Sequence, residues 1–128
     1  MADSVEVLIS WLAALGDTRT ERPNGAVLPF RTARRIGGGD DGLVDHGLHA
    51  IHTITQTEAQ AHAEGVLTYR RVMALIGPHA GQQPVTLPDG QVFVDGGQVT
   101  NQTVIKWCDD GSEWAHVLVC RVDIRSEV

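Results

Sequence analysis

Val5, Leu8, Ile9, Leu12 and Leu15 recur at three- and four-residue intervals. That spacing predicts an amphipathic first helix, with Asp3 or Ser4 as its N-cap and Gly16 just past its end. From Thr18 to Pro29, Pro23-Asn24-Gly25 and Pro29 break every periodicity, so an extended loop or short turn is expected. Phe30 to Ile36 then alternates Phe30, Thr32, Arg34 and Ile36 with Arg31, Ala33 and Arg35. Both faces of this strand are partly polar, which suits a sheet edge or a subunit interface. Gly37 to Gly42 reads as a glycine and aspartate loop, and Leu48 to Thr55, rich in β-branched residues, reads as a second strand antiparallel to the first.

Thr57-Glu58-Ala59 opens a second helix that runs to about Ile76. Val66, Leu67, Tyr69, Val72, Met73, Leu75 and Ile76 give it a broad apolar face, and Gly77-Pro78 stops it. Val85 to Leu87 and Gln91 to Val94 flank the hairpin signal Pro88-Asp89-Gly90. Val99 to Cys108 and Trp114 to Arg125 flank Asp109-Asp110-Gly111, and the last strand alternates Val117, Val119, Arg121 against Leu118, Cys120, Val122, Ile124. Helix, two strands, helix and then hairpins carry no βαβ rhythm. The expected fold class is α+β: an antiparallel or mixed sheet with two helices packed on it, residues 1–128 forming one domain.

Composition narrows the function classes. The formal net charge of -6 argues against a surface that grips nucleic acid through its phosphates, which needs clustered Lys and Arg. Lys106 is the sole lysine, while Arg19, Arg22, Arg34 and Arg35 fall early in the chain; arginine is the usual cation of protein interfaces. No apolar run has the length of a membrane span, and Met1-Ala2-Asp3-Ser4 lacks the features of a signal peptide, so synthesis is expected to end in the cytoplasm.

Candidate chemistry fails one motif at a time. Gly37-Gly38-Gly39-Asp40-Asp41-Gly42 satisfies G-x-G-x-x-G, but no helix follows and Asp40 and Asp41 would oppose a pyrophosphate, so no cofactor is expected. His46, His49 and His52 are three apart; on a strand His49 and His52 point to opposite faces and share no metal. Ser10, Ser112, Cys108 and Cys120 lack the context of an activated nucleophile, and Asp40-Asp41 and Asp109-Asp110 are turn pairs before they are acid and base. Across the Asp109 to Ser112 turn, Cys108 should lie opposite about residue 113 and Cys120 opposite about residue 101. Both thiols are therefore expected to be buried and reduced. Trp107 and Trp114 are expected as cross-strand partners.

Arg22-Pro23-Asn24-Gly25, Leu28-Pro29-Phe30-Arg31 and above all Arg35-Ile36-Gly37-Gly38-Gly39-Asp40-Asp41 resemble the pattern of tail terminator proteins of long-tailed bacteriophages (siphoviruses) that infect actinobacteria. Similar features continue through His52-Thr53, the second helix, Leu87-Pro88-Asp89-Gly90 and Asp109-Asp110-Gly111. The resemblance implies a non-enzymatic virion subunit in the neck region of the tail. It would form a homohexameric ring on the head-proximal end of the tail tube, meet the tube protein and a head-completion or connector protein, and let DNA pass without specific binding. The expected subunit or partner interface is Arg34, Arg35, Ile36, Gly37, Gly38, Gly39, Asp40 and Asp41. A head-completion or tube protein of the same virion, and a small enzyme, remain the other readings.

Overall fold

The computed structural model describes residues 3–125. The first helix, α1 (Ser4–Leu12), starts where predicted: the Asp3 carboxylate accepts a hydrogen bond from the Val5 amide at 3.1 Å. It tightens into a 3-10 turn at Ala13–Leu15 before Gly16, so the helix expected to reach Leu15 is α-helical only to Leu12. Val7, Leu8 and Leu12 are fully buried, whereas Val5, Ile9 and Leu15 rest on the margin of the core.

Six strands follow: β1 (Thr18–Arg19), β2 (Phe30–Asp40), β3 (Val44–Thr55), β4 (Gln83–Leu87), β5 (Gly90–Lys106) and β6 (Trp114–Arg125), with α2 (Glu58–Ile76) between β3 and β4. They form one sheet in the order β1-β2-β3-β6-β5-β4. All neighbours are antiparallel except β1 and β2, which run parallel, so the fold is α+β with a mixed sheet and two helices. The alternation of β6 holds: Leu118, Cys120, Val122 and Ile124 are buried and join Val7, Leu8 and Leu12 of α1 and Val72, Leu75 and Ile76 of α2 in one core.

Two expected loops are strand. The glycine run does not leave the sheet: Gly37, Gly38, Gly39 and Asp40 pair with Leu48, Gly47, His46 and Asp45 of β3, and only residues 41–43 turn. Glycine has poor strand propensity, but a neighbouring strand that supplies ladder bonds overrides it. The segments expected as separate strands at 91–94 and 99–108 are one strand, β5, which bends through bulges at Asp95 and Thr100 instead of ending. Gly97 makes that possible: a Cβ there would lie 2.0 Å from the Arg121 carbonyl oxygen and 3.2 Å from Ile76 Cβ. The loop expected before β2 also contributes β1.

The far end of the sheet differs in detail. Trp114 lies opposite Lys106 and not Trp107; the Trp107 ring is tilted against His52 with centroids 5.1 Å apart. Glu113 continues the register opposite Trp107 and not Cys108, its carbonyl accepting from the amides of Trp107 at 2.9 Å and Cys108 at 3.3 Å. Cys120 lies opposite Val99 and not residue 101, one residue of the shift coming from that register and one from the bulge at Thr100. Both thiols are free; Cys120 is fully buried and Cys108 only half-buried, because it sits in the exposed turn.

Helix α2 is capped by Thr57, whose Oγ1 accepts from the Gln60 amide at 3.1 Å, and it turns Ala61, Gly65, Thr68 and Val72 to the sheet. Val66 and Leu67, expected in its apolar face, are 47% and 45% exposed. The cause is a polar seam under the N-terminal half of the helix. Arg31 of β2 is buried there, its Nε donating to Thr68 Oγ1 at 3.0 Å and its guanidinium paired with the Glu64 carboxylate at 3.2 Å. Thr68 also bonds Thr53 across to β3. Beside the seam, His116 packs so closely under Gly65 that a Cβ there would lie 2.4 to 2.9 Å from ring atoms.

Gly65→Ala should therefore destabilise the fold by about 1–3 kcal/mol through overpacking, despite the roughly 1 kcal/mol that alanine gains over glycine inside a helix. Denaturant melts of the two proteins measure the difference; equal or greater stability of the variant would show that the helix has room to shift.

Candidate assembly surface

The residues expected at an interface occupy the β2–β3 hairpin, and the structure divides them into two groups. Arg35 faces inward. Its guanidinium forms a bidentate pair with Asp45 (2.7 and 2.8 Å), its Nε donates to the Gly37 carbonyl at 3.1 Å, and Nη1 reaches Ser4 Oγ at 3.3 Å. Arg35 is raised above the ordinary guanidinium value and Asp45 held below the ordinary carboxylate value, each chiefly by the hydrogen bonds they share. Arg35 thus ties the N-terminus of α1 to the hairpin. Arg34, one residue earlier, projects exposed from the opposite face.

Ile36 is the extra residue of a bulge between Arg35 and Gly37, which leaves its side chain 55% exposed. Gly38 adopts φ +90°, and a Cβ there would lie 1.9 Å from the His46 carbonyl oxygen, so only glycine fits. Gly37, Gly38 and Gly39 present a stretch of backbone without side chains.

Asp40 and Asp41 close the hairpin as an Asx-type turn. Asp40 Oδ1 accepts from the Gly42 amide at 2.7 Å, and Asp41 Oδ1 accepts from the amides of Leu43 and Val44 at 2.9 and 2.8 Å. Those backbone bonds, from Val44 first and Leu43 next, with His46 beside them, lower the Asp41 carboxyl to about 2. His46 stands between Asp123 (2.7 Å) and Asp41 (3.2 Å), which raise its pKa. The acidic pair expected at a turn does form one, and it is ordered by its own backbone amides.

Two features were not legible beforehand. His49 and His52 do face opposite sides of β3, but His49 is fully buried with its Nε2 2.8 Å from Ser4 Oγ. Ser4 was not among the nucleophile candidates. With both groups fully buried, the pair is a latch between helix and sheet and offers no substrate access. Burial, with Arg35 nearby, lowers the His49 pKa to about 4. Among the described residues no group of three or more His, Cys, Asp or Glu could hold a metal ion, and no helix is long and apolar enough to cross a membrane. The sheet also offers two shallow clefts on either side of α2, of about 300 and 320 Å³, one against β5 at Gln102 and His116 and one at Pro29 and Thr55. Neither is near the Ser4–His49 pair.

No protein-family model matches the chain, and no curated protein matches it. Among solved structures, its fold is similar to that of a chain in the virion of a native gene transfer agent (GTA) particle. The TM-score is 0.56 at 17% identity, with 98% of this chain and 87% of that chain covered. At this identity the likeness is one of fold, and it extends over almost the whole chain.

The latch makes stability fall with acid. The unfolded chain binds a proton at His49 near the unperturbed 6.5, whereas the folded chain resists until about pH 4. Stability is full above the first value and is lost as pH falls towards the second, by roughly 3 kcal/mol for this group. His52 and His116, both lowered chiefly by burial, act with the same sign; His46 acts with the opposite sign, above pH 6.5. His49→Gln should flatten the slope of Tm between pH 6.5 and 4, and an unchanged slope would remove His49 as its source.

The hairpin residues should also separate in the isolated chain. Asp41→Ala removes two backbone caps and should cost about 1 kcal/mol, whereas exposed Arg34→Ala should stay within about 0.5 kcal/mol. Thermal melts in which Asp41→Ala is silent would mean that the turn forms without its side chain.

Proposed function

We propose that this chain is a non-enzymatic structural subunit of a virion, a tail terminator that caps the head-proximal end of a tail tube as a closed ring of six copies. The observation that carries the reading is the fold likeness to a chain of a gene transfer agent virion across 98% of the sequence. The resemblance of the Arg35 to Asp41 run to tail terminators of siphoviruses sharpens it from virion component to neck subunit. One domain is the repeating unit. Its ring stops tube polymerisation and presents a surface to a head-completion or connector protein, and assembly takes place in the host cytoplasm.

The surface chemistry supports the role. A conduit must let DNA pass, and a net charge of -6 disfavours the clustered phosphate contacts that would hold it. In the hairpin, Arg34, Ile36 and the side-chain-free Gly37, Gly38 and Gly39 form the contact surface, while Arg35 from within and Asp40 and Asp41 at the exposed turn hold its shape. The Ser4–His49 pair is buried and offers no substrate access, which favours a structural role for that contact.

A ring that ends a tube must close on itself. The purified chain should appear as monomers or six-subunit closed rings by native mass spectrometry and negative-stain microscopy. Open tubes of indefinite length would instead assign it as the tube protein, and a closed ring of another number would point to a connector.

A further inference from the structure

The sheet has two uncovered edges. Strand β1 pairs with β2 only at Arg31 and Thr32, so among the described residues the outer edge of β2 has no strand partner from Ala33 to Gly39. On the other side β4 covers β5 only from Gly90 to Val94, and the outer edge of β5 has none from Gly96 to Lys106. Exposed edges of such length template pairing with another chain, and proteins usually blunt them with charge or proline. Gly96 to Ile105 contains neither a charged residue nor a proline. The bulges at Asp95 and Thr100 twist this edge without closing it.

We infer that the open edge of β5 is the docking strand for the open edge of β2 of a second copy of this chain, which joins the sheets of neighbouring copies into one. The inference rests on the ring reading above and specifies its interface. Strand direction allows it: β2 is antiparallel to β3, β3 to β6 and β6 to β5, so β2 and β5 run oppositely. Copies related by rotation about an axis along the strands therefore set β2 of one antiparallel to β5 of the next. The two edges also stand level, because Arg34 pairs with Ala50, Ala50 with Val119 and Val119 with Asn101. Arg34 shares the helix-free face with Gln98, Asn101 and Thr103, whose amide and hydroxyl oxygens can accept from its guanidinium, and Arg121, opposite Gln98, is already paired with Asp123. Gly37, Gly38 and Gly39 allow the approaching backbone to come close. The contact is heterologous and uses both edges of every copy, which self-pairing of β5 would not.

Cysteine trapping tests the pairing. In a Cys108→Ser background, Arg34→Cys is prepared alone, and Gln98→Cys, Asn101→Cys and Thr103→Cys each alone and each combined with Arg34→Cys. All are oxidised and resolved on non-reducing gels. The expected result is a covalent dimer when Arg34→Cys chains are mixed with one of the β5 variants, no dimer from any single variant alone, and a ladder that ends at a closed ring for the matching double variant. Efficient dimers from a β5 variant alone would show two-fold β5 pairing and overturn the inference. Absence of cross-links in all three mixtures would overturn it as well; closed rings seen by microscopy in the same samples would then leave the ring reading standing with a different interface.

Discussion

One buried cation sets where the long helix lies. Arg31 is only 2% exposed, and a guanidinium in that position is tolerable only if its charge and donors are met by fixed partners. Burial lowers its pKa from the ordinary value and Glu64 pulls it back up, while Thr68 and the Glu64 carbonyl take further donors. All these partners lie on one turn of α2. The helix must therefore present Glu64 and Thr68 to β2, and this rotation carries Gly65 onto His116 and leaves Val66 and Leu67 in solvent. The apolar core formed by Val72, Leu75 and Ile76 completes a docking whose rotation is fixed by polar bonds.

The elements themselves were legible in the sequence because their signals are local. Caps at Asp3 and Thr57, the alternation of β6 and the Asp109-Asp110-Gly111 turn each depend on neighbours a few residues apart. What was not legible depends on contacts across the fold. Nothing near Gly37-Gly38-Gly39 announces that β3 will hold those residues in a ladder, and Gly96-Gly97 reads as a break until β6 is placed beside it. Glycine reads as punctuation in both places; in both, it permits close approach within a continuous sheet.

The candidate surface shows the same division. Arg34 and Arg35 are indistinguishable as residues of an alternating strand, yet one reaches solvent and the other bonds Asp45, Ser4 and Gly37. The partner that separates them, Asp45, lies in a stretch that gave no strand signal. The Ser4–His49 contact joins residues far apart in the chain, and only the docking of α1 on β3 creates it. The Asx turn at Asp40 and Asp41 is the exception: its chemistry is local, and the acidic pair reads as a turn from the sequence even though the glycine strand leading into it does not.

The pairing of β3 with β6 runs without a bulge from Val44 opposite Arg125 to Thr55 opposite Trp114. Pulled along the strands, these bonds are loaded side by side in shear and must yield together, whereas a pull across the strands would open them one after another like a zipper. The centre of the subunit is therefore mechanically anisotropic, stiff along the strand axis and weaker across it. In the role proposed above, holding while a genome is driven past, such a subunit gains most if its strands lie along the direction of that load.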